Sequence, residues 1–253
     1  MNRISILGCG WLGKPLAISL LDKGYEVKGS TTSLDKIEIL ERLGIAAYLV
    51  DISEFEEFDL FLDADILLVM ITSKELADFS EFIQQIQDSQ IQKVIFISST
   101  SVYPRANKIM TEEDNVVSSS LVAIENLFRK NTFFETTIIR FAGLYNAERH
   151  PANWFKNGRK IPQPNGFVNM IHQEDCINII HEIIEQNCWN QTFNACCNHH
   201  PTRKDFYTKA REIKGFKNPM FEENANYQWK IISSKKLQSK LNYTFTHDDL
   251  FNL

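Results

Sequence analysis

The stretch Ile4-Ser5-Ile6-Leu7-Gly8-Cys9-Gly10-Trp11-Leu12-Gly13 joins a short apolar run to three glycines in the spacing G-x-G-x-x-G. Residues 11–23 continue it with apolar side chains at helical intervals, Leu12, Leu16 and Leu20 among them. A strand, a glycine turn and a helix in this order are typical of a dinucleotide-binding fingerprint. The same glycines in another context would be a turn that serves packing alone.

Each glycine has a distinct expected task. Gly8 permits the tight turn, Gly10 lets the backbone approach a pyrophosphate, and Gly13 lets the helix pack closely on the strand. The start of the helix offers unpaired N–H groups and a partial positive charge to the phosphates. The predicted cofactor contacts in this loop are Gly8, Gly10, Trp11, Leu12 and Gly13.

The tip of the second predicted strand distinguishes NAD from NADP. A carboxylate there would bond the ribose 2′-hydroxyl and repel a 2′-phosphate, but the segment KGSTTS (residues 28–33) has none before Asp35. Hydroxyls and a nearby Lys28 or Lys36 favour NADP, with NAD as the second choice. The predicted contacts at this tip are Ser30, Thr31 and Thr32.

Three further residues are expected near the cofactor. Asp51, after the third strand, has either of two roles: to accept a bond from the adenine amino group, or to cap a loop or helix. Ile71 and Ser98 end the fourth and fifth predicted strands, and we predict that both contact the cofactor.

Strand-length apolar runs alternate with amphipathic segments through the first 140 residues. The predicted strands are 4–7, 25–29, 46–50, 66–71, 93–98 and 136–141. The predicted helices are 11–23, 34–43, 80–87 and 121–128. This alternation predicts an α/β Rossmann fold with a doubly wound parallel sheet.

The composition of the chain changes after about residue 145, and glycines and prolines cluster at 151–166. We predict a Rossmann domain over 1–145 and a smaller α/β substrate-lid domain over 146–253, with later segments returning to the sheet. The predicted later elements are helices at 173–186, 202–214 and 235–241 and strands at 191–196 and 227–232.

Composition excludes several classes of function. The 253 residues carry a net charge of −5, so there is no basic field to attract nucleic acid or an anionic membrane. We expect a small-molecule substrate as partner and leave the oligomeric state open. From the sequence we expect neither a signal peptide nor a membrane span. Its five cysteines lack CxxC spacing, which is typical of reduced cytoplasmic thiols.

Three later motifs extend the picture: FISSTSVY (96–103), RFAGLY (140–145) and VNMIHQED (168–175). Together with GCGWLG (8–13), they resemble the extended short-chain dehydrogenase/reductases. They are most similar to an atypical branch of the NAD(P)-dependent epimerase/dehydratase group. The resemblance implies a Rossmann domain, a small substrate lid and an active site in the cleft between them.

The resemblance also implies catalytic residues. Ser99 matches the serine or threonine that hydrogen-bonds a substrate oxygen while hydride moves; the alternative is a strand-end serine that satisfies local backbone groups. The family's Tyr-x-x-x-Lys pair is missing, because alignment on Glu125 puts Val117 and Leu121 at its two positions. Tyr103 is a candidate replacement acid, although this tyrosine usually packs structurally in the family.

Two functions therefore stay open. The first is an NAD(P)-dependent oxidoreductase or epimerase/dehydratase-like enzyme for a small polar or nucleotide-linked substrate. The second is a non-catalytic NADP(H) sensor or scaffold, favoured by the missing pair. Arg149-His150-Pro151 is expected either at the cleft or in a solvated loop. The run CCNHH (196–200) contains metal-ligand residue types, but neighbours in a strand face opposite ways, so we predict no metal site.

Overall fold

A seven-stranded sheet in the order β10-β7-β5-β4-β1-β2-β3 organises the computed structural model, which describes residues 3–54, 56–155, 158–223 and 227–253. Its strands are β1 Arg3–Leu7, β2 Glu26–Thr31, β3 Ala46–Leu49, β4 Ile66–Val69, β5 Lys93–Ser99, β7 Glu135–Phe141 and β10 Thr192–Ala195. Four shorter strands lie outside this sheet: β6 Lys108–Met110, β8 Gly143–Tyr145, β9 Met170–His172 and β11 Lys230–Ile232.

Within the described residues, eight α-helices connect the strands. They are α1 Gly13–Asp22, α2 Ile37–Glu41, α3 Asp59–Leu62, α4 Leu76–Asp88, α5 Ser120–Arg129, α6 Gln173–Glu185, α7 Arg203–Ile213 and α8 Lys235–Leu241. Short 3-10 turns occupy Leu34–Lys36, Thr100–Val102 and Pro151–Asn153. No helix in the described ranges is long and apolar enough to cross a membrane.

The sheet is parallel and reverses its strand order at β1. Ile4 of β1 is paired in register with Val27 of β2 on one side and with Ile66 of β4 on the other. The chain fills one side of β1 with β2 and β3, and then crosses to β4 and β5. In open parallel sheets a ligand binds beyond the carboxyl ends of the strands at such a reversal. The glycine loop lies there, directly after β1.

The chain divides into two compact units. The first comprises Met1–Ser98, Ser118–Ile139 and Ile183–Thr192. Its core includes an aromatic cluster in which Phe96 and Phe128 stack with ring centroids 4.8 Å apart, while Phe79 meets each of them edge to face at 6.1 Å. These rings join β5 to helices α4 and α5.

The second unit comprises Ser99–Val117, Arg140–Glu182 and Phe193–Leu253. Two small parallel sheets belong to it, β6 with β11 and β8 with β9. Its own apolar core includes Tyr145, Ile161, Met170, Phe206 and Leu250.

The predicted α/β class, the parallel sheet and the order of the main strands and helices are confirmed. One prediction is wrong at the second strand, which continues to Thr31, so Ser30 and Thr31 are strand residues. The strand predicted at 227–232 begins only at Lys230. Helix α3 and strands β6, β8 and β9 have three or four residues each, too few to show a period.

Candidate functional site

The glycine loop has the backbone geometry that its sequence predicts. Gly8 has φ +101°, and a Cβ there would lie 2.9 Å from Cγ2 of Ile71, two residues beyond the end of β4. A Cβ on Gly13 would lie 2.2 Å from the carbonyl oxygen of Gly8, so the helix approaches the turn as closely as glycine allows. A Cβ on Gly10 would meet nothing within 4 Å. This open space fits the close approach of a pyrophosphate to the backbone.

Ser30 supports this loop from β2. Its hydroxyl accepts a hydrogen bond from Gly8 N–H at 2.9 Å, and its carbonyl accepts one from Cys9 N–H at 2.8 Å. The residue is only 1% exposed. The strand, predicted over 25–29, continues past Ser30, and the oxygen atoms of Ser30 hold the turn. The neighbouring Cys9 thiol has its pKa raised to about 12 by burial, so it is not a thiolate at neutral pH.

The other residues predicted at the tip of the second strand differ in exposure and in hydrogen bonding. Thr31 is half-buried, and its hydroxyl accepts from Ser33 N–H at 3.2 Å, while Thr32 and Lys36 are exposed. Lys28 donates to two backbone carbonyls, of Leu60 and Asp63, at 2.5 and 2.7 Å. These bonds hold the Lys28 ammonium at the C-terminal end of α3, and a role for Lys28 in holding a phosphate stays a prediction.

Asp51 caps a short turn with its own side chain. Its Oδ1 accepts from the Ser53 N–H and hydroxyl at 3.1 and 2.7 Å, and these bonds lower the pKa of the Asp51 carboxyl. This geometry corresponds to the loop-capping role that the sequence left as one of two alternatives.

Ser98, one residue before the end of β5, bonds a fully buried carboxylate. Its hydroxyl donates to Oε1 of Glu125 at 2.5 Å, and Arg129 donates to the other carboxylate oxygen at 3.1 Å. Glu125 is fully buried on α5. The glutamate that aligns the chain with its family therefore ties α5 to the end of β5.

A cavity of about 460 Å³ lies within the second unit, and Ser99 and Tyr103 both line it. Ser99 caps the 3-10 turn that follows β5, where its Oγ accepts from Ser101 N–H at 3.1 Å. This is the local backbone role foreseen as the alternative. A hydroxyl that accepts still has a proton to donate, so Ser99 can serve a ligand in the cavity as well.

Tyr103 is fixed by a buried polar network. Its hydroxyl accepts from Arg140 Nη1 at 2.6 Å and donates to Oδ1 of Asn194 at 2.9 Å. Burial raises the pKa of Tyr103, and the residue is 2% exposed. Asn194 N–H in turn donates to Glu112 at 2.7 Å, where burial raises the pKa of the carboxyl. These contacts favour the structural role that the family resemblance implies for Tyr103.

Three cations line the same cavity: Arg105, Arg203 and Lys230. No Asp, Glu or His is among its described lining residues, although the chain as a whole is acidic. Arg203, at the start of α7, is anchored by a bond from Nε to the Pro162 carbonyl at 2.8 Å. Phe167 and Trp229 add an aromatic wall, with ring centroids 5.3 Å apart. Anionic groups and flat rings are the ligands that such a lining favours.

Lys230 is the residue of the cavity that the sequence signals least. Its Nζ donates to the carbonyls of Thr100 and Tyr103 at 2.8 and 2.6 Å. Burial and the nearby Arg105 lower the pKa of Lys230 to about 8. In the sequence it is one basic residue in a predicted strand, far in the chain from Ser99 and Arg203, and no local pattern could have joined the three.

The metal-ligand residue types are arranged differently from their sequence order. Within CCNHH, Cys196 and Cys197 are fully buried, and His199 and His200 bond Asp249 and the Val168 carbonyl through Nδ1. A separate group of His172, Glu174 and His247 has ligand atoms within 4.8 Å of one another.

In that group His247 Nε2 bonds Glu174 at 2.7 Å, and the two imidazole rings are tilted by 36° with centroids 3.7 Å apart. Arg149 is exposed and His150 is buried, so the two neighbours do not share one environment.

Comparison with known proteins identifies the family. Residues 3–121 match a family model described as the NAD binding domain of 6-phosphogluconate dehydrogenase. Protein YeeZ of Escherichia coli K12 is 31% identical over 268 residues, covering 98% of this chain and 97% of the relative. The chain belongs to the YeeZ family. The predicted NAD-binding Rossmann domain is confirmed by the family-model match, and the epimerase/dehydratase-like fold that the resemblance implies is confirmed by solved structures that share it.

Solved structures share this fold over their full length. A conserved protein of unknown function from Silicibacter pomeroyi superposes with a TM-score of 0.84 at 18% identity, covering 100% of this chain and 96% of the other. UDP-glucuronic acid 4-epimerase from Bacillus cereus, in complex with UDP-glucuronic acid and NAD, gives 0.80 at 17% identity, covering 99% and 96%.

Proposed function

We propose that this protein is an NADP(H)-dependent oxidoreductase of the epimerase/dehydratase type that acts on a small anionic substrate, such as a nucleotide-linked sugar. The observation that carries the proposal is the cavity in the second unit, where Ser99 and three cations meet with no carboxylate among the described lining residues. Such a lining selects a phosphate or carboxylate.

The glycine loop supplies the other half of the proposal. The backbone at Gly8, Gly10 and Gly13 supports a pyrophosphate site, and Trp11 and Leu12 directly precede α1, whose first N–H groups would face the phosphates. When bound, the nicotinamide would supply or accept hydride. Thr31, Thr32 and Lys36 would favour NADP, because no carboxylate precedes Asp35 at that tip.

Within the cavity each group has an expected task. Ser99 would donate a hydrogen bond to the reacting oxygen of the substrate, and Arg105 and Arg203 would neutralise its anionic group. Phe167 and Trp229 offer faces for a base or sugar ring. The B. cereus epimerase is described with a substrate that carries both a diphosphate and a carboxylate, which supports this class for the present chain.

Turnover with matched probes tests the proposal. We expect NADPH- or NADP-dependent conversion with UDP-glucuronic acid, with UDP-glucose or with a phosphorylated carbonyl compound, and none with uncharged glucose. Ser99→Ala should lower kcat about 10–100-fold, the loss expected for one stabilising hydrogen bond of about 1.4–2.7 kcal/mol. Ser80→Ala, on an exposed face of α4, is the matched control and should leave the rate unchanged.

The missing Tyr-x-x-x-Lys pair supports one alternative, a non-catalytic NADP(H)-binding protein. Tight nucleotide binding with no conversion of any anionic probe would favour that alternative. Conversion that is lost in Ser99→Ala would exclude it.

A further inference from the structure

The cavity contains few groups that can exchange a proton. Among its described lining residues these are Tyr103, Tyr207 and Lys230, since arginine stays charged at neutral pH. The Tyr103 hydroxyl is engaged by Arg140 and Asn194. Tyr207 is 5% exposed, and burial raises its pKa, as it does for Tyr103. A phenol with a pKa above 10 matches neutral proton transfer poorly.

The ammonium of Lys230 is placed with one donor to spare. Its Nζ donates to the carbonyls of Thr100 and Tyr103, which belong to the 3-10 turn that Ser99 caps. An ammonium has three N–H groups, so one remains for a ligand. The neutral amine keeps two N–H groups, so both carbonyl bonds persist after one proton departs. Lys230 can therefore release a proton into the cavity without losing its position.

The backbone of Lys230 is held as firmly as its side chain. Strand β11 is paired with β6, where Lys230 lies in register with Lys108. Asn169 of the VNMIHQED segment donates from Nδ2 to the Lys230 carbonyl at 3.0 Å and accepts from Ile232 N–H at 2.8 Å. A reactive group positioned on a paired strand is preorganised for catalysis.

We propose that Lys230 is a catalytic residue that protonates the carbonyl oxygen of the substrate during reduction, in place of the missing tyrosine. The inference rests on the proposed oxidoreductase function. A bound reduced nicotinamide would supply the hydride for the new C–H bond; as the carbonyl π bond breaks, the oxygen would take the proton from Lys230 Nζ. The nicotinamide is oxidised and the carbonyl is reduced to a hydroxyl. The neutral amine of Lys230 then regains a proton from water.

The electrostatic surroundings suit this role. The pKa of Lys230 is lowered to about 8 by burial first and then by Arg105. The same cavity is lined by Arg203 and Tyr207 of α7 and by Tyr103, which follows the 3-10 turn Thr100–Val102. No described lining residue is an acid that would raise the pKa of Lys230. At pH 7 Lys230 is mostly protonated and close to the pH at which proton donation is most effective.

A measurement on the cofactor-free protein tests the titration directly. The rate of Lys230 acetylation by acetic anhydride would be followed by peptide mass spectrometry between pH 6 and 11. We expect a midpoint near 8, about two units below an ordinary lysine side chain at ~10.4. A midpoint of 10 or above would overturn the proposal.

Variants test the chemistry with whichever probe the wild type converts. Lys230→Met and Lys230→Arg should both lower kcat about 10²–10⁴-fold with a smaller change in KM. They should also abolish the alkaline fall of kcat near pH 8 in the reductive direction. Arginine keeps the charge and the donors, so a Lys230→Arg enzyme with wild-type kcat would show a purely positioning role and overturn the proposal. Lys108→Met, on the paired strand, is the control and should keep wild-type kcat.

The two proposals fail in different ways. If the wild type converts no anionic carbonyl probe, the oxidoreductase function falls and the role of Lys230 falls with it. If the wild type is active and Lys230→Arg is equally active, Lys230 alone is wrongly assigned. Folding of each variant is checked by its thermal unfolding midpoint and by retained NADPH affinity.

Discussion

Alanine substitutions at Gly10 and Gly13 separate the two roles of the glycine loop. A methyl at Gly13 would lie 2.2 Å from the Gly8 carbonyl oxygen and 3.1 Å from its carbon. Both atoms are backbone, so the helix and the turn must move apart by about 1 Å to restore ordinary contact. Overpacking of this kind costs about 1–3 kcal/mol, and the backbone contact places Gly13→Ala at the upper end.

The same methyl at Gly10 meets nothing within 4 Å in the cofactor-free protein. Gly10→Ala should therefore change the free energy of unfolding by less than about 0.5 kcal/mol. It should instead occupy the space that the pyrophosphate needs. A loss of about 10–100-fold in NADPH affinity corresponds to about 1.4–2.7 kcal/mol.

Thermal unfolding and calorimetric titration distinguish these outcomes. For a chain of this length, 3 kcal/mol corresponds to a fall of about 6–12 °C in Tm, which we expect for Gly13→Ala alone. Gly10→Ala should retain the wild-type Tm and lose nucleotide binding. Wild-type NADPH affinity in a well-folded Gly10→Ala protein would refute the assignment of the loop to the pyrophosphate.

Two predictions concern the stability of the second unit. Asp175 is fully buried and accepts hydrogen bonds from the Tyr243 hydroxyl and from two backbone N–H groups. Asp175→Asn should therefore lower the free energy of unfolding in urea by about 2–3 kcal/mol. An unchanged urea midpoint would contradict this prediction. His150 is buried, and burial lowers its pKa below the ordinary 6.5. The unfolded chain therefore binds a proton at His150 more readily than the folded chain does. The free energy of unfolding should fall as the pH drops from 7 through 6.5. Burial also lowers the pKa values of His172 and His200, so His150→Asn should reduce that loss only in part, and the same pH slope in wild type and variant would show that His150 does not contribute.

The predictable parts of this protein are those that depend on neighbours in the chain. The fingerprint at Gly8–Gly13 is local, because a strand, a turn and a helix start within ten residues determine its geometry. The sequence predicts Ser30 as a cofactor contact only from its position at the end of a strand. The use of its hydroxyl depends on how Gly8 folds back against β2, which β-strand periodicity does not report.

The residues that meet in the cavity could not be predicted from the sequence. Arg105, Arg203 and Lys230 come from a loop, a helix and a three-residue strand, and each has an ordinary sequence context. The lowered pKa of Lys230 arises from burial and from Arg105, both of which exist only after folding. Family resemblance led to Ser99 on this cavity, but the missing Tyr-x-x-x-Lys pair gave no indication of which residue could replace it.

Calorimetric titration of the purified, nucleotide-free protein with NADPH, NADP, NADH and NAD tests the central claim most directly. The account predicts binding of the phosphorylated pair, with weaker binding of the non-phosphorylated pair, as the proposed contacts of Thr31, Thr32 and Lys36 with the 2′-phosphate require. Binding of none of the four would contradict the dinucleotide role of the glycine loop and, with it, the proposed oxidoreductase function.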